Sequence, residues 1–141
     1  MTLENKNKLE KQLVLHEGLK LKPYTCTAGK LTIGIGRNLD DVGISEREAY
    51  ILLQTDVEEA RKGCQNLITG FNAINDTRQI ALIDMMFNLG YTRMSKFCKM
   101  LAAIKCGDWE AAAEQAKESR WYNQVGNRAK TIVRQLKEGE L

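Results

Sequence analysis

Apolar residues recur at Leu9, Leu13 and Val14, and Glu17 continues the same i, i+4, i+8 stripe, so residues 3–17 read as an amphipathic helix. Gly18 stands where helices commonly end in a left-handed residue. Pro23 then forces Lys22 into an extended conformation. Residues 24–26 and 31–35, on either side of Thr27–Lys30, read as the arms of a β-hairpin. With the loop centred on Gly29, Cys26 and Thr32 face each other across the arms, with Cβ atoms about 4.5–5.5 Å apart. Thr32, Gly34 and Gly36 alternate onto one face, Ile33 and Ile35 onto the other. A face stripped of side chains suits close approach of a polymer to the backbone.

Ser45 and Glu48 have capping-box spacing and open a helix with Ala49, Leu52, Leu53, Val57, Ala60 and Cys64 on one stripe, running to about residue 68. Asp76, with Gln79 three residues on, caps the next helix. Ile80–Leu89 is apolar on nearly every side, the mark of a central buried helix. Asp84 and Asn88 lie one turn apart on it and must find partners if buried. Further helices are expected at about 94–106, 108–118 and 127–137, broken by Gly107 and Gly126.

The chain has 141 residues, 43% hydrophobic and 28% charged, enough for one domain or two small lobes sharing a core. No apolar run reaches 18 residues, so membrane insertion is not expected. The first twenty residues lack a secretory signal pattern, which implies folding in the cytoplasm. Cys26, Cys64, Cys98 and Cys106 show no CxxC pair and His16 is the only histidine, so four free thiols and no metal site are expected. Residues 1–70 carry ten basic and ten acidic side chains, whereas residues 71–141 carry eleven and eight, so the whole +3 lies in the second half. That bias fits an acidic polymer such as bacterial cell wall and is far too small to argue for nucleic acid.

Glu17, eight residues, Cys26, five residues and then Thr32 gather an acid, a base or nucleophile and a water-orienting hydroxyl in one short stretch. This segment resembles the catalytic segment of the phage-type lysozymes, the muramidase family, in which an Asp or a Cys holds the middle position. Residues 81–90 are similar to that family's central helix, and residues 119–130 to its C-terminal lobe motif, so the resemblance covers essentially the whole chain. It implies a mainly α (α+β), two-lobed lysozyme-like fold. The small hairpin lobe would span about 18–44 and a bridging helix about 45–68. A helical lobe over about 69–141 would pack with helix 3–17.

The activity implied is hydrolysis of the β-1,4 bond between N-acetylmuramic acid and N-acetylglucosamine in peptidoglycan, leading to host cell lysis. Glu17 would be the general acid, with Cys26 as base or nucleophile and Thr32 beside it. A carboxylate at a helix C-terminus faces the negative end of the dipole, which disfavours its charged form, as a proton donor requires. Phe87, Gln115, Gly34, Arg37 and Arg128 would bind substrate, Arg128 also pairing with Glu17, while Trp121 with Asn88 and Asp84 would be structural. Cys26 stands where many members have Asp, and Arg37 where His is found, which adds a fixed positive charge near Glu17. Lys30, Arg37 and Arg128 are the charges that would favour the Cys26 thiolate.

No cofactor is implied. The expected partners are peptidoglycan glycan strands and, indirectly, a holin-type release partner, with the protein a monomer. It would reside in the host cytoplasm until release and then act on the periplasmic wall. One alternative is a non-catalytic peptidoglycan-binding protein on the same fold, which would keep the cleft and lose the acid. Another is a lysozyme-fold module with a structural role in a phage tail or toxin, and the lack of an appended domain stands against it.

Overall fold

The computed structural model describes residues 1–141. Eight α-helices and a three-stranded antiparallel sheet follow one another along the chain, mainly α as expected. Contacts divide the chain into two units, Met1–Tyr50 and Ile51–Leu141. No helix is long and apolar enough to cross a membrane.

The first unit opens with α1 (Leu3–Glu17), capped by the Thr2 hydroxyl, which accepts from the Asn5 amide at 3.2 Å. Gly18, at φ 77°, ends the helix and returns its N–H to Val14 O. Strands β1 (Lys20–Thr25), β2 (Leu31–Gly34) and β3 (Arg37–Asn38) then pair in chain order. The ladder is irregular between Lys20 and Tyr24, the stretch that holds Pro23, which has no N–H to give.

The register differs from the one expected. Tyr24 lies opposite Thr32 and Thr25 opposite Leu31, so Cys26 meets Lys30, to whose carbonyl its amide donates at 2.9 Å. The turn is tighter than a loop centred on Gly29, because the Gly29 amide bonds back to Cys26 O. Cys26 and Thr32 are therefore diagonal rather than direct neighbours. The alternation of Thr32, Gly34 and Gly36 also stops early. Gly34 and Gly36 both have φ near +70°, and the chain turns between them into β3, a strand not foreseen. Helix α2 (Glu46–Leu67) begins with the expected capping box: the Ser45 hydroxyl accepts from the Glu48 amide and Glu48 Oε1 from the Ser45 amide.

In the second unit a 3-10 turn at Phe71–Ala73 leads to α3 (Asp76–Leu89). Its cap is Asn75, which accepts from the Arg78 amide, and not Asp76, which is already helical. Helices α4 (Tyr91–Ser95), α5 (Cys98–Lys105), α6 (Trp109–Lys117), α7 (Arg120–Val125) and α8 (Asn127–Glu138) follow. The single helix expected over 94–106 is thus two, broken where Phe97 leaves the helical region at ψ 57°. Helix α7 was not foreseen, being six residues held by a Ser119 cap and too short for periodicity to reveal. The core gathers Leu82, Met85, Met94, Met100, Ile132 and Leu136, all fully buried. Each such side chain contributes roughly 1.5–3 kcal/mol. Ala112, Ala113 and Ala116 give α6 a small-residue face in that core.

Candidate active site

Glu17 is the last residue of α1, so the helix fixes its Cα while its side chain projects past the final turn. There it meets the backbone of Gly36. A β-carbon on Gly36 would lie 2.7 Å from Glu17 Oε2 and 2.9 Å from its carboxyl carbon, so any larger residue there displaces the carboxylate. The backbone conformation at Gly36, φ +69°, is also one that L side chains rarely adopt. On the face expected to admit a polymer, Gly36 instead has the Glu17 carboxylate against it.

Cys26 and Thr32 share an anchor. The Lys30 carbonyl accepts from the Cys26 amide and from the Thr32 hydroxyl, each at 2.9 Å. Thr32 is buried and Cys26 half-buried. The Lys30 and Ala28 amides, and then the Thr32 hydroxyl, favour the thiolate and hold the Cys26 thiol below its ordinary range. With one hydrogen, the Thr32 hydroxyl donates either to Lys30 O or to the sulfur. It can follow the charge on Cys26. Burial pushes the Cys64 thiol the other way, up to about 12, while its Sγ donates to Leu82 O at 3.4 Å.

The charges expected to help the thiolate are engaged elsewhere. Lys30 Nζ pairs with Asp41 at 3.3 Å, and Arg37 Nη1 with Glu48 Oε1 at 2.8 Å. The ion pair with Arg37, reinforced by the Ser45 amide and hydroxyl, draws the Glu48 carboxyl down to about 2. The fixed charge of Arg37 therefore has a carboxylate partner at hydrogen-bond distance. Glu48 came to notice in the sequence only as a cap, because no spacing rule links it to a residue eleven positions earlier.

In the second unit the Arg128 guanidinium holds Asp84, Nη2 to Oδ1 at 2.6 Å and Nε to Oδ1 at 2.8 Å. Neither Asp84 nor Asn88 is buried, so neither requires a partner, yet both have one, Asn88 by accepting from Trp121 Nε1 at 2.8 Å. Trp121 is buried, edge-on to Phe97, as the structural reading expected. Phe87 and Arg128 line one pocket with Leu53, Val57, Ile80 and Ile83. Gln115 is not brought to them, and lines a different pocket with Lys96, Phe97 and Lys99. No three His, Cys, Asp or Glu side chains gather as a metal site.

A terminal-helix carboxylate over a three-stranded hairpin sheet, with a mainly helical remainder, defines a lysozyme-like protein. The phage lysozyme family matches residues 14–138, and the chain belongs to that family. Three relatives are each 30% identical. Probable T4-type lysozyme 2 of Dictyostelium discoideum is matched over 94% of this chain and 95% of its own length. An endolysin of Acyrthosiphon pisum secondary endosymbiont phage 1 is matched over 75% of each. The pre-baseplate central spike protein Gp5 of Enterobacteria phage T4 is matched over 89% of this chain, which spans only 27% of that protein.

Proposed function

We propose that the protein is an endolysin-type N-acetylmuramidase that cleaves the β-1,4 bond between N-acetylmuramic acid and N-acetylglucosamine and so brings about host cell lysis. The observation that carries this is the hairpin that sets a thiolate-favouring Cys26 beside the Thr32 hydroxyl, following a helix that ends on Glu17. In the reaction Glu17, protonated, gives its proton to the glycosidic oxygen as the bond to the sugar's C1 breaks. Water attacks C1 from the opposite face, and Cys26 takes the proton that water releases. Thr32 orients that water with its lone pairs, its hydrogen turned to the Cys26 thiolate and passing to the Lys30 carbonyl once the sulfur is protonated. The charge that builds on the sugar is oxocarbenium-like, and the product anomer is inverted. Gly34 on the hairpin, and Phe87, Gln115 and Arg128 on the helical unit, are the residues assigned to substrate binding. The enzyme acts as a monomer. It is held in the host cytoplasm until a holin-type partner opens the route to the periplasmic wall.

The test is turbidity loss of permeabilised Gram-negative cells, followed by product analysis. Fragments ending in reducing N-acetylmuramic acid, initially as the inverted anomer, support the assignment. Binding without cleavage would leave only a wall-binding protein. The similarity to the spike protein supports a second reading, in which this chain is the lysozyme-like part of a particle component. Co-sedimentation with phage particles separates that reading from a free endolysin.

A further inference from the structure

The contact between Glu17 and Gly36 needs a support that the hairpin alone does not supply. Gly36 has no side chain with which to anchor itself, and its neighbour Ile35 is 46% exposed. Strand β3 is two residues long and meets β2 through two pairs, Thr32 with Asn38 and Ile33 with Arg37. So short a ladder holds its leading turn weakly.

The next residue supplies the missing anchor. Arg37 Nη1 donates to Gly43 O at 3.1 Å and to Glu48 Oε1 at 2.8 Å. Glu48 is itself fixed, because the same oxygen accepts from the Ser45 amide at 3.0 Å and its own amide donates to Ser45 Oγ at 3.1 Å. A continuous set of bonds therefore runs from the first turn of α2, through Glu48 and Arg37, to the backbone atom group that touches the Glu17 carboxylate.

We propose that Arg37 and Glu48 form a positioning pair that sets the Gly36 backbone against Glu17, so that the start of α2 governs the attitude of the general acid. This rests on the reading of Glu17 as that acid. It moves Arg37 from sugar binding to positioning. Arg37 Nη1 is already given to a carboxylate and a carbonyl that belong to the turn's own surroundings, and its loss frees the turn that carries Gly36.

The experiment uses the full chain, with Arg37→Ala, Glu48→Gln, their double variant and Arg37→Lys, below the temperature at which any of them unfolds. The first readout is kcat and KM on a soluble peptidoglycan oligomer. Each single change lowers kcat about tenfold or more, since small misplacements of a catalytic group are that costly. KM stays within about twofold, and the double variant is no worse than the poorer single one. Arg37→Lys recovers part of the loss. A rise in KM at constant kcat would show that Arg37 binds sugar and overturn the proposal, as would a Glu48→Gln variant with unchanged kinetics. The second readout needs no activity: the carboxyl carbon resonance of Glu17 moves in Glu48→Gln. A resonance unmoved in both single variants overturns the pairing even if the wild type proves inactive, an outcome that would by itself remove only the assignment of Glu17 as acid.

Discussion

The carboxylate of Glu17 occupies the space where a side chain on Gly36 would begin, its Oε2 2.7 Å from the place a β-carbon would take. Two residues nineteen positions apart are thereby made interdependent, one supplying a carboxylate and the other the room for it. Gly36→Ala must either push the carboxylate aside or move the turn, and it also strains a backbone at φ +69°. The substitution is expected to cost more than about 1 kcal/mol of stability. Activity, assayed on the folded fraction, should fall further than that loss of folded protein accounts for. Urea denaturation with parallel kinetics checks this, and full activity in folded Gly36→Ala would show that the contact is unimportant.

Glu17→Gln keeps shape and hydrogen bonding and removes the proton to be donated. Lysis is expected to fall at least about a hundredfold, the low end for general acid catalysis. Residual activity of a tenth of wild type would remove Glu17 from the role.

Cys26 should be alkylated by iodoacetamide with loss of activity, and peptidoglycan fragments should slow that loss. The reaction rate should rise with pH at values below those of an ordinary thiol, because the Lys30 and Ala28 amides and the Thr32 hydroxyl lower its pKa. Cys26→Asp should stay active and Cys26→Ser be poor, since a serine hydroxyl does not ionise near neutrality. A variant lacking Cys64, Cys98 and Cys106 is the right background, as Cys98 and Cys106 are exposed thiols and would otherwise react too. If Cys26→Ser lyses cells like wild type, the thiol has no chemical role.

Glu48 titrates at about 2 in the folded protein, below its ordinary value, because Arg37 and the Ser45 groups bind its ionised form. A depressed folded-state value means that the stabilisation is fully present above the unfolded-state pKa of about 4.3. It is lost as pH falls from there toward 2. The Tm difference between wild type and Glu48→Gln should therefore be constant from pH 5 to 7 and shrink steadily below pH 4. A difference that persists unchanged at pH 2 would mean that the pair adds nothing to stability.

Arg128 and Asp84 form a close pair whose side chains are both about 40% exposed. Arg128→Ala should cost only about 0.2–1 kcal/mol, the range for exposed pairs. Adding Asp84→Asn should cost little more, because the partners share one interaction. Thermal melts of the single and double variants test this. A loss of several kcal/mol would mean that Arg128 holds more than this carboxylate.

What the sequence made legible was local. Gly18 and the Ser45–Glu48 box act over three or four residues, so the end of α1 and the start of α2 could be read from spacing, whereas the Thr2 cap was not. The register of β1 on β2 was not legible in this way. One hydrogen bond, Gly29 to Cys26, decides whether residue 26 faces 30 or 32, and residue types alone permit both. The break between α4 and α5 was invisible because neither Lys96 nor Phe97 is a helix breaker, and Phe97 leaves the helical region to pack on Trp121. The site divided along the same line. Glu17, Cys26 and Thr32 stood out by spacing, whereas Gly36 and Glu48 are defined by contacts across the fold that no local pattern records.

Arg78 has a consequence for how the chain is made. Its guanidinium lies over Trp109, 4.7 Å from the ring centroid, and donates to the carbonyls of Leu136 and Lys137, while Asn75 reaches Gly139 O. The start of α3 is thus fastened to the end of α8, some sixty residues later. A chain emerging from the ribosome has Asn75 and Arg78 in hand long before it has their partners. The fastening of α3 to α8 therefore cannot form until residues 136–139 are free of the exit tunnel.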